Sequence, residues 1–168
     1  MHDVEFYTYR ITSLWGIRVD GTDLRVRAAA ATRAHWVPEL EAEEYGSPEA
    51  IEERVLRQHD GMPEGDLGDP VRHFLGDVRP ELREQLWGDS TGLIPLLGCC
   101  CGVWECWPLL ARVTVTPHEV TWSGFRQLYR PEWGELAIGP YAFGRAAYED
   151  ALAHPVALGD DPLGERKF

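Results

Sequence analysis

Residues 93–125 read LIPLLGCCCGVWECWPLLARVTVTPHEVTWSGF, and this stretch decides the fold. Leu93 to Cys99 is a short apolar run of the length of a buried strand. From Trp107 to Thr116 the side chains alternate, with Leu110, Arg112 and Thr114 on one face and Leu109, Ala111, Val113 and Val115 on the other. Pro117-His118 supplies a turn, and Val120 to Phe125 is a third strand. Short connections between three successive strands make an antiparallel meander.

Outward from the meander, other elements follow. Val4 to Ile11 is rich in aromatic and β-branched residues, and Leu14 to Val19 alternates up to a turn at Asp20-Gly21; both are strands. Thr22 or Asp23 caps a helix through Ala28 to Ala34, expected to stop near Trp36 because Pro38 disfavours α geometry at Val37. Ser47, Pro48 and Glu49 open a second helix that places Ile51, Val55, Leu56 and His59 on one face. Asp60 to Pro70 holds Gly61, Pro63, Gly65 and Gly68 among acids, which is the composition of a mobile loop. A helical turn is expected at Pro80 to Trp87. Arg130 to Pro140 is irregular, and Phe143 to Leu152 is a closing helix with Ala147, Tyr148, Ala151 and Leu152 inward. The fold class is α+β: an antiparallel sheet with helices packed on one face. The 168 residues suit one domain, placed at 1–155, followed by an acidic, flexible tail over 156–168.

All four cysteines lie between Cys99 and Cys106. If Gly102 to Glu105 is a hairpin tip, Cys101 and Cys106 face each other at about 5.5 Å between Cα atoms, and Cys99 shares a face with Cys101. Three thiols then converge, as in half of a zinc knuckle, and His118 or His73 is the available fourth ligand. The metal candidates are therefore Cys99, Cys101, Cys106 and His118, with zinc as the cofactor of that alternative and no cofactor otherwise. A redox pair asks for C-x-x-C at a helix start, and Cys99 and Cys101 are one residue apart in strand-like surroundings. The competing structural reading has small cysteines filling a tight corner beneath Trp104 and Trp107.

The remaining chemistry-bearing residues are scattered. His2, His35, His59, His73, His118 and His154 form no zinc motif, and His59 reads as a core histidine. Ser90-Thr91-Gly92 is no nucleophile elbow. Asp77 with Glu81, or Glu132 with Glu135, are candidate acid–base pairs, against the competing reading of solvated surface carboxylates, which commonly have this spacing. Trp104, at the expected hairpin tip, is the tryptophan expected in solvent, and Arg130 interleaves with Tyr129 and Trp133.

A resemblance rests on the same residues. Pro95 to Gly102, Cys106 to Leu110, Val120-x-Trp122 and Phe143-x-Arg145-x-x-Tyr148-Glu149-x-Ala151-Leu152 resemble a group of small bacterial proteins without an assigned activity. These share a C-x-C-G-x-x-x-C-W core, a V-x-W strand and a closing F-x-R-x-x-Y-x-x-A-L helix. The resemblance covers about 60 residues and implies a shared fold. It carries over no functional residue, and it leaves Cys100 in a variable position, the cysteine of least expected consequence.

Net charge of −12 repels nucleic acid phosphates and anionic lipid headgroups, so neither is an expected partner, and it favours a basic protein partner or a cationic ligand, with solubility alone as the competing reading. Of 16 basic residues only Lys167 is a lysine, the mark of a GC-rich genome. The N-terminus, Met1 to Glu5, lacks the basic and apolar regions of a signal peptide. The expectation is a cytoplasmic protein whose cysteines are thiols or metal ligands. Its function is expected to be non-catalytic protein binding, with cysteine-hairpin metal binding or an enzyme beside the Gly61–Gly68 loop as alternatives.

Overall fold

The computed structural model describes residues 1–43, 46–86 and 92–166. Trp87, Ser90, Thr91 and Lys167 lie outside the described residues. The strands are β1 (Val4–Tyr9), β2 (Leu14–Val19), β3 (Thr22–Asp23), β4 (His59–Pro63), β5 (Leu93–Cys99), β6 (Leu109–Val115), β7 (Glu119–Gln127), β8 (Tyr141–Gly144) and β9 (Val156–Ala157). The helices are α1 (Leu24–Ala42), α2 (Pro48–Leu56), α3 (Glu64–Leu67), α4 (Pro70–Phe74), α5 (Pro80–Gln85) and α6 (Arg145–Ala153). The strands form one sheet in the order β8-β7-β6-β5-β4-β2-β1-β9, with β3 paired to β2. All pairings are antiparallel except β1 with β9. The class is α+β, and β5-β6-β7 is the expected meander. No helix among the described residues is long and apolar enough to cross a membrane.

The register of β1 on β2 explains the two faces of the sheet's N-terminal part. Phe6 opposes Ile17 and Val4 opposes Val19, on the face that packs into the main core with Phe74, Trp122 and Tyr148. Tyr7 opposes Gly16 and Tyr9 opposes Leu14 on the other face. A Cβ at Gly16 would stand 2.2 Å from the Tyr7 ring, so the glycine makes room for the aromatic across the strand pair.

Several elements differ from the sequence expectation. Helix α1, capped by the Asp23 side chain on the Arg25 amide at 2.9 Å, continues through Pro38 to Ala42. Leu40 packs with Ile51 and Val55 of α2, and that burial holds the last turn where local preference would end it. The expected mobile loop at 60–70 is instead strand β4 followed by α3 and α4. Its Gly61 is a contact glycine: a Cβ there would meet the Trp15 carbonyl oxygen at 2.4 Å, so β2 and β4 approach backbone to backbone. In the closing helix, which starts at Arg145 after β8, Tyr148 and Leu152 are buried and Ala151 packs partly against the core, but Ala147 is exposed, because Tyr148 and Leu152 centre the inward face and Ala147 lies well to one side of it.

Residues 156–166, read from sequence as a flexible tail, are docked. Val156 pairs with Tyr7 and Ala157 with Thr8, and the Leu158 amide donates to the Thr8 carbonyl at 2.8 Å. The anchor is Asp161, whose side chain is only 7% exposed among arginines.

Candidate functional site

The connection from β5 to β6 is longer than a hairpin tip. The last register pair of β5 with β6 is Leu97 with Leu109; Gly98 and Cys99 still pair with β4, and residues 100–108 form the connecting loop, with a 3₁₀ turn at Trp104–Cys106. Trp104 is 2% exposed, not in solvent: the loop closes over its own indole. Gly98 permits this, since a Cβ there would lie 3.1 Å from the Trp104 Cβ. Gly102 turns the chain with φ +91°.

His59 pins the loop's two ends. It stands in β4, not on α2, and its Nδ1 contacts the carbonyls of Gly98 (3.2 Å) and Trp107 (3.0 Å). Both partners are acceptors, so Nδ1 carries the proton. Burial pushes the ring's pKa down to about 4, against the raising effect of those carbonyls, and the ring is neutral.

The thiols lie in sequence along the loop. Cys99 and Cys100 are half-buried, and Cys101 and Cys106 are exposed; all four are free. The Cys101 amide reaches Cys99 Sγ at 3.5 Å, and the Val103 amide reaches Cys101 Sγ at 3.4 Å. The Cys99 thiol donates to Cys100, which pushes Cys99 up; burial adds to the effect. The same bond, with help from the Arg166 charge and against burial, brings Cys100 down to about 7. Cys106 is raised, first by its hydrogen bond with Cys101.

The expected metal ligands separate into two places. Cys99, Cys101 and Cys106 share the loop, whereas His118 lies in the β6–β7 turn, at the other end of β6 and about 20 Å along the strand. His73 is bonded through Nε2 to the Pro95 carbonyl at 2.7 Å, four residues back along β5 from Cys99. Among the described residues no group of three or more Cys, His, Asp or Glu is arranged to hold a metal ion. The surface carboxylate Asp77 is engaged by Arg72 at 2.6 Å, and Glu132 stands 3.9 Å from Arg130.

Cys100 opens onto two clefts. One, of about 250 Å³, has walls from Trp36, Leu40, Arg57, Gln58, Cys99 and Trp107. The other, of about 450 Å³, is lined by Arg10, Thr12, Asp60, Cys101 and Arg166. Gln58 fixes the first wall. Its Oε1 accepts from the indoles of Trp36 (2.9 Å) and Trp107 (3.2 Å), and its Nε2 donates to Thr32 Oγ1 (2.6 Å) and the Val55 carbonyl (3.3 Å). Arg130 lies 5.2 Å over Trp107 and 5.8 Å over Trp133, the cation–aromatic interleaving expected at 129–133. The Tyr129 hydroxyl donates to the Glu105 carbonyl at 2.8 Å and ties that segment to the cysteine loop.

Behind the second cleft lies a buried ionic cluster. Asp60 accepts from Tyr9 (2.9 Å), Arg10 (3.0 Å), Arg25 (3.3 Å) and Arg166. Arg25, 1% exposed, also bonds Asp23 and Asp161. Burial alone would pull its guanidinium down; the bonds to Asp161 and Asp23 outweigh that and push it up. Burial raises Tyr7 and Tyr9 well above the ordinary phenol, so both donate as neutral hydroxyls. Arg166 also bonds the Cys100 carbonyl, which joins the cluster to the loop.

Compared with family models, curated proteins and solved structures, the chain finds no match. The site is read from its own geometry: Cys100, the cysteine of least expected consequence, is the thiol that lines both clefts. The ionic cluster left no sequence signal, because its members at 10, 25, 57, 60, 161 and 166 meet only in the folded chain.

Proposed function

We propose that this is a thiol-dependent protein in which Cys100 is the nucleophile toward a soft electrophile such as a disulfide. The observation that carries the reading is the place of Cys100, half-buried at the meeting of two clefts, with the Cys99 thiol donating to it and Arg166 beside it. Reactive cysteines are found in partly exposed, electropositive surroundings of this kind. The step is simple: Cys100 thiolate attacks one sulfur of a disulfide, a mixed disulfide forms, and the other half leaves as a thiolate. The Trp36–Trp107 wall suits an apolar or aromatic group on that electrophile.

The test is site-resolved labelling with iodoacetamide across pH, read by peptide mass spectrometry. Cys100 is expected to label fastest, with a midpoint near pH 7, and Cys99→Ala, which removes the donor, to move that midpoint upward. Labelling of Cys100 no faster than Cys101 or Cys106, with a midpoint above pH 8.5, overturns the reading.

A second reading, non-catalytic binding of a basic protein partner, is supported by the net charge of −12. It expects capture of a partner at low salt and its release at high salt. A chain that captures nothing and stays monomeric at all concentrations counts against it.

A further inference from the structure

We propose that Arg10, Arg25 and Arg57 form a carboxylate-binding site that the chain's own Asp161 now fills, and that residues 156–166 are a strap which a ligand carboxylate can displace. The inference stands apart from the thiol reading, since it needs no cysteine.

The geometry is that of a ligand site. Arg25 grips Asp161 with both ends of its fork, Nη2 to Oδ1 at 2.8 Å and Nη1 to Oδ2 at 3.0 Å. Arg10 and Arg57 each reach Oδ2 at 3.3 Å, and the Leu163 amide donates to Oδ1 at 2.9 Å. Planar, two-pronged recognition of this kind is how arginine selects carboxylates. The three guanidiniums come from separate elements: the β1–β2 turn, the first turn of α1 and the end of α2. Two of them keep hydrogen bonds that do not involve Asp161, Arg25 to Asp23 and Asp60 and Arg10 to Asp60, and Arg57 keeps an ion pair with Glu53 at 3.4 Å. Arg25 and Arg10 are therefore still positioned when Asp161 leaves.

The strap has little else to keep it down. Val156 and Ala157 are exposed, and no residue from 156 to 166 is wholly buried. Leu158, partly buried against Tyr7, Tyr9 and Leu14, is its one apolar contact with a core cluster. Its other attachments are polar: the short β9 pairing with β1, the Leu158 amide on the Thr8 carbonyl, the Gly159 carbonyl on the Arg10 amide, the carbonyls of Leu163, Gly164 and Glu165 on Arg57, and Arg166 on Asp60. A segment with so little apolar burial opens at low cost. Beside it lies a cleft lined by Arg10, Asp160, Asp161, Glu165 and Arg166, from which a ligand would approach.

The test compares full-length Asp161→Ala with the parent chain, with acetate as the probe and chloride at equal ionic strength as the control. Acetate is expected to raise the Tm of the variant by about 5 °C, the size of shift that occupancy well above Kd gives a chain of this length, and to leave the parent within about 1 °C. Equal responses of variant and parent overturn the proposal. If the variant does not fold, hydrogen exchange on the parent chain decides. Succinate in excess is expected to speed exchange of the Leu158 and Leu163 amides at least fivefold over chloride. Unchanged exchange there overturns the strap.

Discussion

His59 donates from Nδ1 to the Trp107 carbonyl across 3.0 Å, and this contact ties the far end of the cysteine loop to the middle of the sheet. The same proton is shared with the Gly98 carbonyl at the near end. Both ends of the loop that carries the thiols are thus tied to one neutral imidazole in β4. The pairing of His59 with Cys99 in the strand register sets the ring where it can reach both ends.

That neutrality makes the fold acid-sensitive in a defined window. Burial brings His59 and His73 each down to about 4, against an ordinary histidine near 6.5. Above pH 6.5 both folded and unfolded chains hold these rings neutral, and their contribution is complete. Between pH 6.5 and 4 the unfolded chain takes up the protons and the folded chain does not, so stability falls as pH falls. Each ring is expected to cost up to about 3 kcal/mol by pH 4. Urea unfolding at pH 7, 6, 5 and 4.5 reads the slope, and His59→Gln is expected to remove about half of it. A flat profile over that range contradicts the neutral-ring account.

Gln58 is expected to control the shape of the cleft beside Cys100. All four hydrogen-bonding positions of its amide are used, two of them by the indoles of Trp36 and Trp107. Gln58→Leu keeps the volume but leaves both indole N–H groups and Thr32 without this partner. A loss of about 2–3 kcal/mol is expected, with a shift in tryptophan emission and faster alkylation of Cys99. The Gln58→Glu variant keeps the two acceptor contacts and is expected to retain the emission of the parent.

The sequence carries the strands of the meander and the caps of α1 and α2 plainly, because alternation and capping are local. It misleads at Gly61 and at Trp104 for a shared reason. Glycine among acids and tryptophan near a turn look like exposed loop from their neighbours alone. Their roles are set by what packs on them, the Trp15 backbone in one case and the cysteine loop in the other. Asp161 is the extreme case: an aspartate in an acidic terminal segment has no local mark of burial, and arginines some 104 to 151 residues away give it its place.

The two contact glycines should respond differently to alanine. At Gly61 the added Cβ meets the Trp15 backbone, which cannot move without parting β2 from β4. At Gly16 it meets the Tyr7 ring, a side chain that can be changed. Both substitutions are expected to destabilise by about 3 kcal/mol. Tyr7→Leu is expected to recover part of the Gly16→Ala loss, whereas Trp15→Leu is expected to recover none of the Gly61→Ala loss. Denaturant midpoints of the four single and two double variants check this, and rescue at Gly61 would disprove the backbone contact.

Tyr148 links the closing helix to the sheet through its hydroxyl. It accepts from Trp122 Nε1 at 3.1 Å and donates to the Phe74 carbonyl, with Trp122 and Tyr148 both fully buried. Burial drives its pKa far above the ordinary phenol, so the proton stays on the oxygen over the whole working range. Tyr148→Phe leaves the ring contacts with Phe6 and Phe143 in place and orphans one donor and one acceptor in the core. The expected loss is about 2–4 kcal/mol, since each unmet buried group costs its desolvation. Trp122→Phe added to Tyr148→Phe removes the stranded indole N–H, so the double variant is expected to lose less than the two single losses combined. Strict additivity would mean that Trp122 and Tyr148 do not share that hydrogen bond in solution.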